Sequence, residues 1–248
     1  MKIIGSQAAG AVLLLPLDDV RPAQGVTPQQ IIDVLAPRYK FATRPRTAGA
    51  SPLLGRFPTT AAGTGAAPVQ MFFQMPLTLQ NGMAIIGEKK IIITRLDVFT
   101  DVSRIVVQTV TTDEGDIVLD DISSVLEGAC GFRNLKEFTT RQYVSNCIVQ
   151  FEKSIEEYIS ALSEIQKIIS PALKAATGID QEPQVERIGF AFDPTLLPAS
   201  KAQTLGFILE RRIESPFSEN RYFSGAPLRT NDHIRVLEQI GRALEGKR

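Results

Sequence analysis

The sequence predicts an α+β fold: a mainly antiparallel sheet with about four helices packed on it. Three observations carry this expectation. The segment VQMFFQMPLTL, from Val69 to Leu79, alternates apolar residues with period two and opens a strand-rich block. Four other stretches place their apolar residues three and four apart. Strands and helices also come in runs rather than in regular alternation, the order expected of α+β rather than of a doubly wound sheet. We read residues 1–248 as one such domain with a long flexible loop at about 42–67. A subdivision near residue 138 is the alternative.

The first element is a strand. Ala11 to Leu17 is apolar on both faces, as in the centre of a sheet. A leader-peptide reading fits less well, because Ser6 and Gln7 break the apolar run and Pro16, Asp18 and Asp19 follow it. The segment GVTPQQIIDVL then opens a helix, with Thr27 as N-cap, Pro28 in the first turn and Gln30 three residues after the cap. Pro37 limits or ends it.

From Phe41 to Pro68 the chain is rich in Ala, Gly, Thr and Pro and has no apolar period. This is the expected loop. Alternation resumes in VQMFFQMPLTL, where Pro76 suggests an edge position. Asn81-Gly82 is a hairpin signal. MAII, KIIITRLDVF and RIVVQTV complete an antiparallel meander.

In DIVLDDISSVLEGACG the residues Val118, Leu119, Ile122, Val125 and Leu126 keep helical spacing, with Gly131 as C-cap. YVSNCIVQF is a strand that buries Cys147 as a structural thiol. The longest helix is expected from Ser154 to Ala175, with a seam of Ile155, Tyr158, Leu162, Ile165 and Ile169. QVERIGFAF and TLGFILERRI read as two joined strands, and a last helix starts near Thr230.

Composition narrows the function. The 248 residues are 44% hydrophobic and 22% charged, with zero formal net charge, two cysteines and one histidine. General affinity for nucleic acid or anionic membrane is not expected from such a balance. No run approaches the ~20 apolar residues that span a bilayer. Two distant cysteines make no disulfide framework, and the expected location is the cytoplasm.

The stretch ESPFSENRYFSGAPLRTNDHI holds the single histidine, His233, beside Ser215, Ser218, Ser224 and Asp232. A hydrolase triad needs the carboxylate on the far nitrogen of the imidazole. Asp232 and His233 are neighbours on a helix, about 100° apart, and no serine sits in Gly-x-Ser-x-Gly. The residues are better explained as a helix start docked on the core. Removal of His233 should then cost on the order of 1 kcal/mol or less.

The acidic run Asp113, Glu114, Asp116, Asp120 and Asp121 lacks the spacing of a calcium loop, and no metal site is expected. GTGAAP is followed by no Gly-Lys-Ser/Thr, so no cofactor is expected. Two features stand out. Arg211 falls on an apolar strand face, where it must find a partner. Between Asp33 and Glu88 there is no acidic residue, while Arg38, Lys40, Arg44, Arg46 and Arg56 stand there.

The expectation is a non-catalytic protein-binding or assembly subunit, whose partner is another protein or a second copy in a homo-oligomer. Complementarity between the basic span and the acidic span Asp113 to Asp121 is one route to association. The alternatives are a nucleic-acid binder using residues 38–56, or an enzyme using Asp113, Asp116 and Arg211. The candidate binding residues are Arg38, Lys40, Arg44, Arg46, Arg56 and Arg211.

Overall fold

In a computed structural model of the chain the described residues are 1–20, 22, 25–42, 46–47, 76–99, 101–179, 182–191, 206–212 and 215–246, with only the backbone of 46–47. The expected flexible loop therefore lies outside the described residues, apart from positions 42, 46 and 47. The architecture is α+β with antiparallel strands. Two compact units make it up. The first is Ala8–Tyr143; the second joins Met1–Gln7 to Val144–Arg248.

The first unit carries the strand order β2-β3-β4-β5-β1. Its strands are β1 (Lys2–Leu14, from Ala8 onward), β2 (Arg46–Thr47), β3 (Leu77–Ile86), β4 (Lys89–Val98) and β5 (Arg104–Thr109). The meander β3–β4–β5 is antiparallel throughout, and β5 pairs with β1 from Ala9↔Thr109 to Leu14↔Arg104. Among the described residues four helices belong here: α1 (Leu17–Val20), α2 (Pro28–Arg38), α3 (Thr112–Cys130) and α4 (Leu135–Phe138).

Helix α2 starts on the expected capping box, with Thr27 and Gln30 bonding each other's backbone N–H, and closes one residue past Pro37. Helix α3 begins earlier than its apolar period suggests. Thr111 caps it by accepting from the Glu114 N–H. It ends, as expected, on Gly131 at φ +72°. Ile31, Ile32 and Leu35 from α2 and Val118, Leu119, Ile122 and Leu126 from α3 meet Leu13, Ile93, Leu96 and Val107 in one core.

The hairpin turn is not at Asn81-Gly82. Strand β3 runs through those residues, and the chain reverses at Gly87-Glu88, between the paired Ile86 and Lys89. Gly87 has φ +59°, at the first central position, which type II′ hairpins give to glycine. Gly82 is needed for another reason: a Cβ there would lie 2.3 Å from the Phe41 ring. Gly82 thus makes room for Phe41 within the strand, while Asn81 is exposed and takes a left-handed φ of 57° without reversing the chain.

The second unit has the order β6-β9-β8-β7. These are β6 (Thr140–Gln150, from Val144 onward), β7 (Arg187–Phe190), β8 (Phe207–Arg211) and β9 (Arg221–Ala226). Its core gathers Cys147, Val149, Phe151, Ile155, Leu209, Tyr222 and Leu237. Cys147 is fully buried, and burial pushes its thiol up to about 11. Both cysteines are free thiols.

The expected helix from Ser154 to Ala175 is broken. It forms α5 (Ile155–Tyr158) and α6 (Ser160–Thr177), with Ile159 extended between them. In a continuous helix the Ser160 N–H would bond the Glu156 carbonyl. Here the Ser163 hydroxyl donates to that carbonyl at 2.8 Å. Helix α3, at 19 residues, is longer than α6 at 18. The last helix, α7 (Thr230–Leu244), starts at Thr230 as expected, with Arg229 at the N-cap position and no side-chain capping bond.

Close approach of α3 to the sheet makes one glycine decisive. A Cβ on Gly115 would stand 2.8 Å from the Ala11 Cβ and 3.3 Å from Thr109 Oγ1. Gly128, on the same helix, faces open space. Gly128→Ala is expected to stabilise the fold by about 0.5–1 kcal/mol through helix propensity. Gly115→Ala is expected to destabilise it by about 1–3 kcal/mol, because overpacking outweighs that gain. Urea unfolding of the two variants measures the difference in sign.

Candidate functional site

Of the basic residues singled out in the sequence, the structure describes the side chains of Arg38, Lys40 and Arg211. Arg44 and Arg56 lie outside the described residues, as does the side chain of Arg46.

Arg38 closes α2, and its guanidinium forks onto Asp121 on α3. Nε donates to Oδ2 at 2.7 Å and Nη2 to Oδ1 at 2.5 Å. The Tyr39 hydroxyl donates to the same Oδ2 at 2.7 Å. Tyr39 is buried, and its backbone carbonyl accepts the Met83 N–H of β3 at 2.7 Å. The Arg38 hydrogen bonds hold the Asp121 carboxyl below its ordinary range, while the carboxylate and burial raise the Tyr39 phenol. Burial is the larger cause for the phenol. Lys40 follows at φ 50°. A shallow cavity of about 110 Å³ opens between Arg38, Tyr39, Lys40, Met83, Ile85 and Asp121.

This arrangement spends the basic charge of Arg38 inside the unit. A bidentate pair already satisfies both faces of the guanidinium fork toward Asp121. The acidic run is divided in the same way. Arg141 donates to Asp116 at 2.8 Å and to Asp120 at 2.6 Å. Tyr143 donates to both Asp116 oxygens, at 3.0 and 3.1 Å. The basic and acidic spans thus meet within one chain, at Arg38 and Asp121.

Arg211 lies in the second unit and is 2% exposed. Its Nη2 donates to Glu156 Oε2 at 3.2 Å, Nε to the Val185 carbonyl at 3.1 Å and Nη1 to the Phe217 carbonyl at 3.0 Å. The guanidinium carbon stands 4.7 Å from the Phe217 ring centre and 5.0 Å from that of Tyr222. Glu156 is also buried and accepts the Val185 N–H. Arg211 has found the structural partner that an apolar strand face demands.

The histidine stretch resolves as a core feature. His233 is fully buried. Its Nδ1 is 2.8 Å from Ser145 Oγ and its Nε2 is 2.9 Å from Ser224 Oγ. The Asp232 carboxylate instead pairs with Arg235 at an exposed position. Ser224 is as buried as the ring, so no substrate carbonyl reaches that hydroxyl. Loss of His233 would take the ring partner from the buried Ser145 hydroxyl and from the Ser224 oxygen, although the Ser224 hydroxyl would keep its bond to the Ile208 carbonyl. The cost therefore exceeds what an exposed first-turn residue would give.

A second cleft, of about 340 Å³, borders Lys2, Glu152, Ser218 and Glu219 in the second unit. Among the described residues no group of three or more His, Cys, Asp or Glu is placed to hold a metal ion. Among them, too, no helix is long and apolar enough to cross a membrane.

Several of these partners were missed in the sequence. Arg141 and Tyr143 share a strand face, and Asp116 and Asp120 share a helix face, so the period of each element carried the signal. Arg95 and Asp97 show the same pattern on β4. Asp97 is 1% exposed, accepts from Arg95 Nε at 2.8 Å and from Thr78 Oγ1 at 2.5 Å.

Asp121→Ala is expected to cost about 1–3 kcal/mol, because it leaves the buried Tyr39 hydroxyl unpaired. Arg38→Ala should cost no more than about 1 kcal/mol, since that side chain is 47% exposed. Thermal melts of both variants rank the two. The Asp121 contribution is present above the ordinary carboxylate range and is lost as pH falls from there through the lower pKa of the folded state, so the ranking should collapse in acid. Comparison with the models of known protein families and with curated proteins yields no match.

Proposed function

We propose that this chain is a non-catalytic binding or assembly subunit that works by docking protein onto α6. The observation that carries this reading is the exposed face of that helix. No residue of α6 is buried. Ile165 is 52% exposed, Ile168 74%, Ile169 41% and Leu173 45%. These residues recur at helical spacing and form one apolar stripe. Contiguous apolar surface of this kind marks an interaction site.

The expected seam is divided in use. Ile155 is buried in the second-unit core, and Tyr158 and Leu162 pack against it. Ile165 and Ile169 point away from it. The polar face of α6 carries both signs of charge, with Lys167 donating to Glu164 at 2.8 Å, which suits a protein partner better than an anionic surface. The simplest partner is a second copy, and the expected location is the cytoplasm. The two free thiols agree with a reducing compartment.

Because the Arg38 charge is satisfied within the chain, association through an apolar stripe should persist in high salt. Light scattering after size exclusion is expected to give a mass above the 27.1 kDa of one chain at both low and high ionic strength. Ile168→Asp should shift it to the monomer while changing stability by no more than about 0.5 kcal/mol. A wild-type monomer at tens of micromolar would reject self-assembly. Binding to a purified partner that Ile168→Asp leaves intact would reject α6 as the docking face.

A further inference from the structure

We propose that His233 is an acid-sensitive fastening that holds α7 on the sheet of the second unit in its neutral form and releases that helix when the ring takes up a second proton. The hydrogen-bond distances fit an Nε2–H tautomer, the form we adopt. The Ser224 hydroxyl donates to the Ile208 carbonyl at 2.9 Å. Its oxygen is therefore left to accept, and the 2.9 Å contact to Nε2 is an N–H donated by the ring. Nδ1 is then bare and accepts the Ser145 hydroxyl at 2.8 Å. Every polar atom of the neutral ring is paired, and the edge-on Phe207 ring, 5.7 Å away between centres, closes the site.

A second proton has one place to go, Nδ1, and that position is occupied by the Ser145 hydroxyl hydrogen. The hydroxyl must turn away, and the new charge is buried among two serines and an aromatic ring. The titratable groups on the elements around it offer no compensation. On β6 the same face carries the buried Cys147, and on β9 it carries Tyr222, both neutral in mild acid. On β8 it carries Arg211, which is cationic and engaged with Glu156. On α7 itself, Asp232 and Arg235 pair with each other at exposed positions, and Arg229 stands at the N-cap position. Burial, opposed by a hydrogen bond to the Ser145 backbone, lowers the ring to about 4 from the usual 6.5.

The sign follows. The folded state binds the proton less well than the unfolded state, so the fastening is at full strength above the ordinary histidine pKa. It weakens as pH falls from there toward about 4. The lever is local, because His233 sits in the first turn of α7 and its N–H bonds the Arg229 carbonyl at 2.9 Å. Leu237, one turn on, is buried in the same core.

The chain has one histidine, so its ring nitrogens give a single pair of NMR signals. The expected result is an Nε2–H tautomer at neutral pH that stays neutral in the folded protein below pH 6. Hydrogen-exchange protection, corrected for intrinsic rates, is then compared for α7 and α3 on the intact chain. Protection of α7 is expected to fall by about tenfold per pH unit between roughly pH 6 and 5, with α3 unchanged. In His233→Gln the α7 slope should vanish over that interval. A ring that titrates near its ordinary value in the folded protein overturns the proposal. So does α7 protection that is flat, or that falls equally with α3. The NMR titration needs no variant, so an unfolded His233→Gln leaves the test decisive.

Discussion

A polar group taken out of water must find a partner, and the internal order of both units follows from that requirement. Asp97 is buried on β4 and is held by Arg95 and Thr78. Glu156 and Arg211 are buried together and are completed by backbone groups of Val185 and Phe217. His233 is flanked by a serine on each nitrogen. Thr78 on β3 reaches Asp97 on β4, and Ser145 on β6 and Ser224 on β9 reach His233 on α7, so these polar bonds tie separate elements together. The groups that could do chemistry are thereby used to fix the fold.

The local rules were readable in the chain. Thr27 with Gln30 announced α2, Gly131 announced the end of α3, and the strand-rich block announced β3, β4 and β5, although residues 69–75, where most of the alternation is read, lie outside the described residues. Where reading failed, a distant contact decided. Asn81-Gly82 carries the chemistry of a turn, but Phe41 claims the space over Gly82 and the chain turns at Gly87. The break at Ile159 depends on the Ser163 hydroxyl, which competes with a backbone bond. The burial of His233 depends on Ser145, 88 positions away. Likewise Arg38 reads as a free cation until Asp121, 83 positions later, is brought to it. Composition shows charge excess in a segment; only the fold shows where the counter-charge lies.

The apolar surface is distributed differently from the polar groups. Each unit has a core of buried Leu, Ile and Val, and single residues such as Ile85 and Ile92 are exposed on the first-unit sheet, while α6 leaves Ile165, Ile168, Ile169 and Leu173 together in solvent. A helix gains most of its stability in a protein by burying one face. An 18-residue helix with no buried residue has that gain still to make, and the docking we propose would supply it. The contrast between satisfied polar groups and this unsatisfied apolar stripe is what turns the reading away from catalysis and toward assembly.

The central claim is that the polar groups singled out by the sequence hold the structure, and Arg211 with Glu156 tests it most directly. A double-mutant cycle of Arg211→Met and Glu156→Leu, followed by urea unfolding, separates the two possibilities. If the pair is structural, each single change strands a buried charge and costs about 3–5 kcal/mol, while the double variant recovers most of that loss. Single variants as stable as the wild type, with no coupling between them, would contradict the account and return Arg211 to the role of a ligand-binding residue.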